Sequence, residues 1–236
     1  MEFRLTEEQL QLCDSERSWL TRHDPIARVR DALDVADITV DPAAVSHVAE
    51  SGLLGLLTPD MGGTHVDLAV LSEAHGYAAS SLPLSDLALA VWLLADAQLP
   101  EFDPASEGTR LIGLTRGRIA ITGGKADILD ETSPVPMASD MAAIAVVSAT
   151  ADGEYVALAR DPALVGMKTL DLTRSWARVA GGTSIGEATP LPAGRLSFLR
   201  GALAVHRGLD AIGAAARLLE MTVAYAGQRE QFGAPI

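Results

Sequence analysis

The residues of this chain that suit binding chemistry stand at its C-terminal end. Arg229 and Phe232 lie in the segment Arg229-Glu-Gln231-Phe232-Gly233-Ala-Pro-Ile236, which follows a long helical pattern. An arginine guanidinium pairs with two phosphate oxygens at once, and a phenylalanine ring offers a face on which a base stacks. An anionic, flat ligand such as a nucleotide cofactor is therefore predicted at this end of the chain.

Two simpler interpretations stay open for these residues. Arg229 would also stabilise the end of its helix, because a positive charge interacts favourably with the negative end of the helix dipole. Phe232 would also serve as an apolar anchor in a core.

Length and composition exclude several function classes. The chain has 236 residues and a formal net charge of −13 without a Lys/Arg cluster, so nucleic acid and anionic membranes are poor partners. A single cysteine, Cys13, excludes a disulfide framework, and the histidines show no ligand-like spacing, so no metal site is expected. No apolar run approaches the roughly 20 residues of a membrane span, and the polar N-terminus does not resemble a secretion signal. We expect a soluble, cytoplasmic protein.

Helical patterns fill residues 1–100. Thr6 is an expected N-cap, and Asp41 is another because proline follows it at the first helical position. Further helices are predicted over 67–79 and from Ser85 or Asp86 to residue 97.

Between residues 101 and 192 the pattern changes to short, β-branched segments separated by glycine and proline. The predicted strands are 110–115, 118–122, 142–149, 154–159 and 177–179. Their spacing favours a small antiparallel β-barrel or sandwich. The predicted fold class is therefore α+β, with an N-terminal all-α helical domain (1–100), a middle β domain (101–192) and the start of a C-terminal helical bundle (193–236).

A single long helix is predicted after residue 192, because no proline interrupts residues 193–234. Apolar side chains recur along it at alternating four- and three-residue spacings, namely Val205, Leu209, Ile212, Ala216, Leu219 and Val223. Such a stripe indicates packing on other helices, and Arg207 and Asp210 are expected on the remaining sides. We expect the helices that would cover the stripe to lie outside this chain.

The order of these elements, together with several short motifs, resembles the acyl-CoA dehydrogenase family. The opening Leu5-Thr-Glu-Glu-Gln9 is similar to the start of the family's first helix. Residues 52–63 resemble its Leu-Gly…Pro-Glu-x-x-Gly-Gly turn, and Asp171-Leu-Thr-Arg174 is similar to its Asp-x-Thr-Arg signature. The resemblance is strongest over residues 213–236, where Tyr225, Arg229, Phe232 and Gly233 are in register with the family motif.

The resemblance implies FAD as cofactor and the α,β-dehydrogenation of an acyl-CoA thioester, a reaction of lipid metabolism. In the family a carboxylate removes the α-proton while the β-hydrogen passes to the flavin as hydride, and an electron-transfer flavoprotein collects the electrons. Family dimers place the arginine and phenylalanine of the C-terminal motif against the neighbouring subunit's FAD. Arg229 is accordingly expected at the pyrophosphate and Phe232 near the adenine, with Gln231 and Gly233 shaping the turn.

Three departures from the family concern the flavin and the base. The flavin-contacting segment Thr-Glu-Pro-x-x-Gly-Ser-Asp is absent, and Thr115 is followed instead by Arg116 and a glycine. Leu203, with alanine on either side, stands where one branch has its catalytic glutamate, so no catalytic residue is assigned. The helical bundle is also cut after its first long helix.

These departures favour a partner-type subunit that contributes half of a composite FAD site in a hetero-oligomeric acyl-CoA dehydrogenase. A homodimer would share its FAD sites in the same way. The alternative is a non-catalytic scaffold, or a truncated fragment without activity alone. Arg174 is expected to make a structural ion pair.

Overall fold

Helices, strands and one long helix follow one another along the chain in the computed structural model, which describes residues 4–23, 25–33, 38–231 and the backbone of 234–235. The first helices are α1 (Glu7–His23), α2 (Pro25–Ala32), α3 (Pro42–Glu50), α4 (His65–Tyr77), α5 (Leu84–Asp96) and α6 (Phe102–Ser106). The strands that follow are β1 (Ile112–Arg116), β2 (Ile119–Thr122), β3 (Lys125–Ile128), β4 (Val135–Pro136), β5 (Ala143–Thr150), β6 (Gly153–Arg160), β7 (Leu164–Met167), β8 (Trp176–Val179), β9 (Ser184–Glu187) and β10 (Thr189–Leu191). Helix α7 (Arg195–Gln228) comes next, and the short strands β11 (Glu230–Gln231) and β12 (Ala234–Pro235) pair with each other.

The middle strands form three small sheets, with the orders β1-β5-β6-β10, β2-β3-β9 and β4-β8-β7. Antiparallel pairing dominates, as the sequence predicted, but β1 and β5 pair in parallel. A parallel pair needs a crossover connection, and the segment that contains β2, β3 and β4 provides it. The sheet region is therefore mixed.

One apolar core joins the helices to the sheet. It contains Leu71 and Leu89 from the helices, Leu114 and Val147 from the strands, and Leu199 from α7. The predicted α+β fold class is confirmed. The domain boundaries at residues 100 and 192 stay a prediction, because this core extends across both of them.

Two predicted N-caps are present. The Thr6 hydroxyl accepts a hydrogen bond from the Gln9 N–H at 3.2 Å, and Gln9 Oε1 accepts one from the Thr6 N–H at 3.0 Å. The Asp41 carboxylate accepts one from the Ala43 N–H at 3.0 Å, and Pro42 opens α3. Helix α5 begins at Leu84 without a side-chain cap, so its predicted start at Ser85 or Asp86 was one or two residues late, and Asp86 pairs with Arg207 instead.

Helix α7 packs on the rest of the molecule through a face other than its apolar stripe. Its buried residues are Leu199, Leu203, His206 and Gly213. Most of the stripe is exposed, with 57% of Ile212 and 64% of both Leu219 and Val223 accessible to solvent, whereas Leu209 and Ala216 are half-buried. Arg207 and Asp210 point inward instead of outward, because each pairs with a charged residue on the body of the protein.

Two glycines allow α4 and α7 to cross with their backbones in contact. A Cβ atom on Gly76 would lie 1.8 Å from the Asp210 carbonyl oxygen, and a Cβ atom on Gly213 would lie 2.1 Å from the Glu73 carbonyl oxygen. No side chain larger than hydrogen fits at either position without moving a helix. This crossing therefore fixes how α7 is rotated and which residues it presents to each side.

Substituting Gly213→Ala is expected to lower the free energy of unfolding by about 1–3 kcal/mol, because the added methyl group forces the helices apart. Gly208→Ala on the same helix is the matched control, since a Cβ atom there meets nothing within 4 Å. The control should be neutral or slightly stabilising, because alanine favours helix more than glycine does. Equal unfolding midpoints for the two variants in urea would contradict the close crossing.

Candidate functional site

The predicted cofactor residues lie at the exposed end of α7. The Arg229 guanidinium donates a hydrogen bond to the Tyr225 hydroxyl and lies 5.6 Å from the centroid of that ring. Gln231 follows in β11 and is exposed. Phe232 and Gly233 lie outside the described residues, so the grouping of all four residues stays a prediction.

The side chain of Arg229 does not cap its helix. Its hydrogen bond goes to a side-chain hydroxyl one turn earlier, whereas the Arg229 backbone N–H donates to the Tyr225 carbonyl at 2.9 Å. Because the Arg229 guanidinium lies on the exposed Tyr225 side chain, its other N–H groups are directed to solvent. This geometry suits an anion that approaches from outside the chain.

A cleft of about 240 Å³ lies between β1 and the first half of α7, at the opposite end of that helix. Its lining consists of Leu114, Thr115, Arg116, Ser133, Pro134, Arg200, Leu203, Ala204 and Arg207. Leu203 and Ala204 therefore line the cleft on the turn where one family branch has its base. None of the lining residues carries a carboxylate, so this cleft offers no acidic side chain for removing a proton.

Arg207, which lines this cleft, is paired with Asp86 of α5 behind it. Asp86 is only 4% exposed, and Arg207 Nε lies 3.2 Å from Asp86 Oδ1. Burial alone would lower the pKa of Arg207, but the charge and hydrogen bonds of Asp86 outweigh burial and raise that pKa. The same guanidinium lies 5.4 Å from the centroid of the Trp176 ring, so one face of that indole is covered by the protein's own cation.

Arg174 makes the structural ion pair that the sequence predicted. Its two terminal nitrogens lie 3.0 and 2.8 Å from the Asp210 carboxylate oxygens, in a bidentate pair that joins the β region to α7. Its Nε donates to the Ser80 carbonyl oxygen at 3.1 Å. Since three of its donors are occupied by the protein, Arg174 has a structural role beside the α4–α7 crossing.

The fold brings two histidines together on a buried carboxylate. Glu16 of α1 is 3% exposed and lies 2.8 Å from His47 Nε2 and 2.9 Å from His75 Nε2. The His47 ring also stacks on Trp19, with the ring centroids 4.0 Å apart. This cluster ties α1 to α3 and α4, and sequence spacing gave no sign of it because the three residues come from separate helices.

A second pair, His65 and His206, lies beside α7. His65 Nδ1 and His206 Nε2 are 3.0 Å apart, and Ser72 Oγ is 3.3 Å from His206 Nδ1. Because the Ser72 hydroxyl donates to the Leu68 carbonyl, the Ser72 oxygen accepts from His206 Nδ1–H, and His206 Nε2 then accepts from His65. Burial, with the neighbouring His65, lowers the pKa of His206 to about 4, so this chain of hydrogen bonds is neutral at pH 7.

No group of three or more His, Cys, Asp or Glu residues could hold a metal ion within the part of the chain that the structure describes. In the same residues, no helix combines the length and the apolarity that crossing a membrane requires.

The Glu16 cluster generates a prediction about pH. Burial would raise the pKa of Glu16, but the hydrogen bonds and charges of His75 and His47 outweigh it and lower the pKa below its ordinary value of 4.5. The carboxylate therefore stabilises the fold above the unfolded-state pKa, and this contribution is lost as the pH falls through the lower folded-state value. The free energy of unfolding should drop between about pH 5 and pH 3, and less steeply in Glu16→Gln.

Urea unfolding at several pH values measures this slope. Glu50→Gln is the control, since Glu50 is an exposed residue at the end of α3. An identical slope for the wild type and Glu16→Gln would show that Glu16 does not carry the acid sensitivity.

Comparisons with known proteins agree with this architecture. No family model matches the sequence. Acyl-CoA dehydrogenase IpdE2 of Mycolicibacterium smegmatis is 28% identical over 241 residues, which cover 98% of this chain and 68% of that protein.

Two solved structures share the fold over nearly the whole chain. A chain of the ChsE4–ChsE5 complex of Mycobacterium tuberculosis superposes with a TM-score of 0.85 at 21% identity, over 100% of this chain and 71% of that one. A glutaryl-CoA dehydrogenase of Mycobacterium smegmatis in complex with FADH2 superposes with a TM-score of 0.72 at 18% identity, over 98% of this chain and 68% of that one. This chain is therefore similar in sequence to one acyl-CoA dehydrogenase and shares the fold of these solved structures.

Proposed function

We propose that this chain is a subunit of an FAD-dependent acyl-CoA dehydrogenase and that it contributes half of a composite FAD site in a hetero-oligomer. The reaction is the α,β-dehydrogenation of an acyl-CoA thioester, and an electron-transfer flavoprotein is the proposed electron acceptor. The observation that carries the proposal is the position of Arg229, which lies exposed at the far end of α7 from the chain's own cleft.

The distance between the cleft and Arg229 is set by the helix that joins them. Leu203 lines the cleft and Arg229 follows the last turn of α7. At a rise of about 1.5 Å per residue, the two positions are about 39 Å apart along the axis. A straight helix cannot bring its own two ends to one ligand, so Arg229 would serve a cofactor held mainly by another chain.

FAD fits one end of this chain better than the other. At the far end of α7, the exposed Arg229 guanidinium suits a phosphate, and Gln231 offers an amide beside it. At the cleft, the Arg207 guanidinium is already paired with Asp86 and lies over the Trp176 ring, so it is not available to a phosphate. When bound, FAD supplies the hydride acceptor, and the contribution of this chain is to hold the cofactor's phosphates through Arg229.

The missing carboxylate favours a partner that supplies the base. Removal of an α-proton needs a group of suitable pKa within hydrogen-bond reach, and Leu203 and Ala204 cannot accept a proton. The chain alone is therefore expected to be inactive. A second acyl-CoA dehydrogenase subunit is the proposed partner, and the likeness of the whole of this chain to 71% of a chain of a two-protein complex supports that choice.

The exposed stripe of α7 supports assembly. Ile212, Leu219 and Val223 are each more than half accessible on a helix that runs to Arg229. Burying such side chains is favourable, and a contiguous apolar face marks an interaction surface. A partner that covers this stripe would lie next to the Arg229 end. The cytoplasmic location and the role in lipid metabolism stay predictions.

The test is co-expression of this chain with the acyl-CoA dehydrogenase homologue encoded by its neighbouring gene. The purified complex should absorb near 450 nm, roughly where oxidised flavin absorbs. Arg229→Ala should weaken FAD binding about tenfold or more, because charge-assisted hydrogen bonds to phosphate are lost. Arg110→Ala is the control, since Arg110 is an exposed arginine in the connection before β1.

Two results would count against the proposal. Equal flavin content in the wild-type and Arg229→Ala complexes would remove Arg229 from the cofactor site. Co-purification of both chains without any flavin would instead support the scaffold alternative.

A further inference from the structure

A hydrogen-bonded pair of histidines joins the start of α4 to α7, and the proposed function does not use it. His65 Nδ1 lies 3.0 Å from His206 Nε2. The His206 side chain is 1% exposed, whereas His65 is half-buried. His206 and Gly213 lie two turns apart on the buried face of α7, so the pair connects the same two helices as the glycine crossing.

The two facing nitrogens share a single proton. His65 Nδ1–H donates to the His206 Nε2 lone pair, and the other ring nitrogen of His206 donates to Ser72 Oγ at 3.3 Å. An imidazolium donates from both nitrogens and accepts at neither. If both rings were charged, two N–H groups would therefore oppose each other at hydrogen-bond distance, and the contact would open.

A single charge on the pair is also unfavourable. His65 is the first residue of α4, where the positive end of the helix dipole opposes a cation. Burial lowers the pKa of His65 below its ordinary value of 6.5. Asp86 favours a charge on His206, but burial and the neighbouring His65 outweigh it and lower the pKa of His206 to about 4.

The charged groups on the helices packed around the pair are engaged with other residues. These groups and their partners are Asp67 with Thr64, Glu73 with Arg17, His75 with Glu16, Asp86 with Arg207, Asp96 with Arg195, and Asp210 with Arg174. Taking a carboxylate from one of these pairs to neutralise a histidine cation would leave another buried or half-buried group without its partner. The fold therefore favours the neutral pair.

We propose that the His65–His206 pair is a pH-sensitive switch, which holds α7 on α4 while both rings are neutral and releases it when they take up protons. Its contribution to stability is fully present above the unfolded-state pKa of about 6.5. As the pH falls below that value, the unfolded chain binds protons that the packed pair excludes, and the contribution is lost down to the lower folded-state pKa values. The same stretch of α7 carries Leu203 and Arg207, so release would also change the lining of the β1 cleft.

Urea unfolding of the full chain between about pH 7 and pH 4.5 tests the switch. Each histidine that stays neutral should raise the unfolding equilibrium constant up to about tenfold for each pH unit below 6.5. His206→Asn should flatten this dependence, because asparagine keeps a donor for Ser72 but does not titrate. His23→Asn is the matched control, since His23 lies against the Asp41 carboxylate instead of a second histidine, and it should not flatten the dependence. The same pH dependence in the wild type and His206→Asn would overturn the switch.

Two measurements on the wild type do not require any variant to fold. In an NMR titration, the His206 ring should stay neutral at about pH 5.5, and titration near its ordinary value in the folded chain would contradict the proposal. Hydrogen exchange, corrected for its intrinsic pH dependence, should show protection falling between about pH 7 and pH 5 in α4 and in residues 199–213 of α7, but not in β5 and β6. A uniform loss of protection across the chain would indicate general acid unfolding and would reject a local switch. Neither measurement depends on the proposed role of Arg229.

Discussion

The backbone contact between α4 and α7 is the constraint on which the rest of this structure depends. Gly76 and Gly213 have no side chains, and the helices approach until a carbonyl oxygen occupies the space of each missing Cβ atom. The bidentate pair of Arg174 with Asp210 fixes the same crossing from the β region. Backbone contact leaves little freedom of rotation, because any turn of α7 would place a bulkier residue against α4.

The rotation of α7 determines which of its residues face the β1 cleft and which face solvent. It directs Leu203 and Arg207 to the β1 cleft, where a proton acceptor would be needed, and neither residue can act as one. It directs Ile212 and Leu219 away from the body, where another chain can cover them. The helix also carries Arg229 to its far end, out of reach of that cleft. Helix α7 thus holds the cleft and Arg229 too far apart to contact one reacting centre. In the proposed complex, a second chain would complete the site.

Local features of this fold were predictable from the sequence, and contacts between distant segments were not. The caps at Thr6 and Asp41 depend on neighbouring residues, so their patterns were sufficient. The strand region and the ion pair of Arg174 were also predicted, although the partner Asp210 was expected on an outer side of α7. The cluster of Glu16 with His47 and His75, the pairing of Asp86 with Arg207, and the parallel β1–β5 pair all join segments far apart in sequence. Burial of a carboxylate such as Glu16 runs against residue-type preference and becomes favourable only through its two partners.

The central claim is that this chain lends Arg229 to a cofactor that another chain holds and that its own cleft holds none. Native mass spectrometry of the co-expressed complex, which counts FAD against each type of chain, tests it most directly. The account predicts one FAD for each pair made of this chain and its partner. Two FAD molecules for each pair, or FAD retained by this chain after the partner is removed, would contradict it.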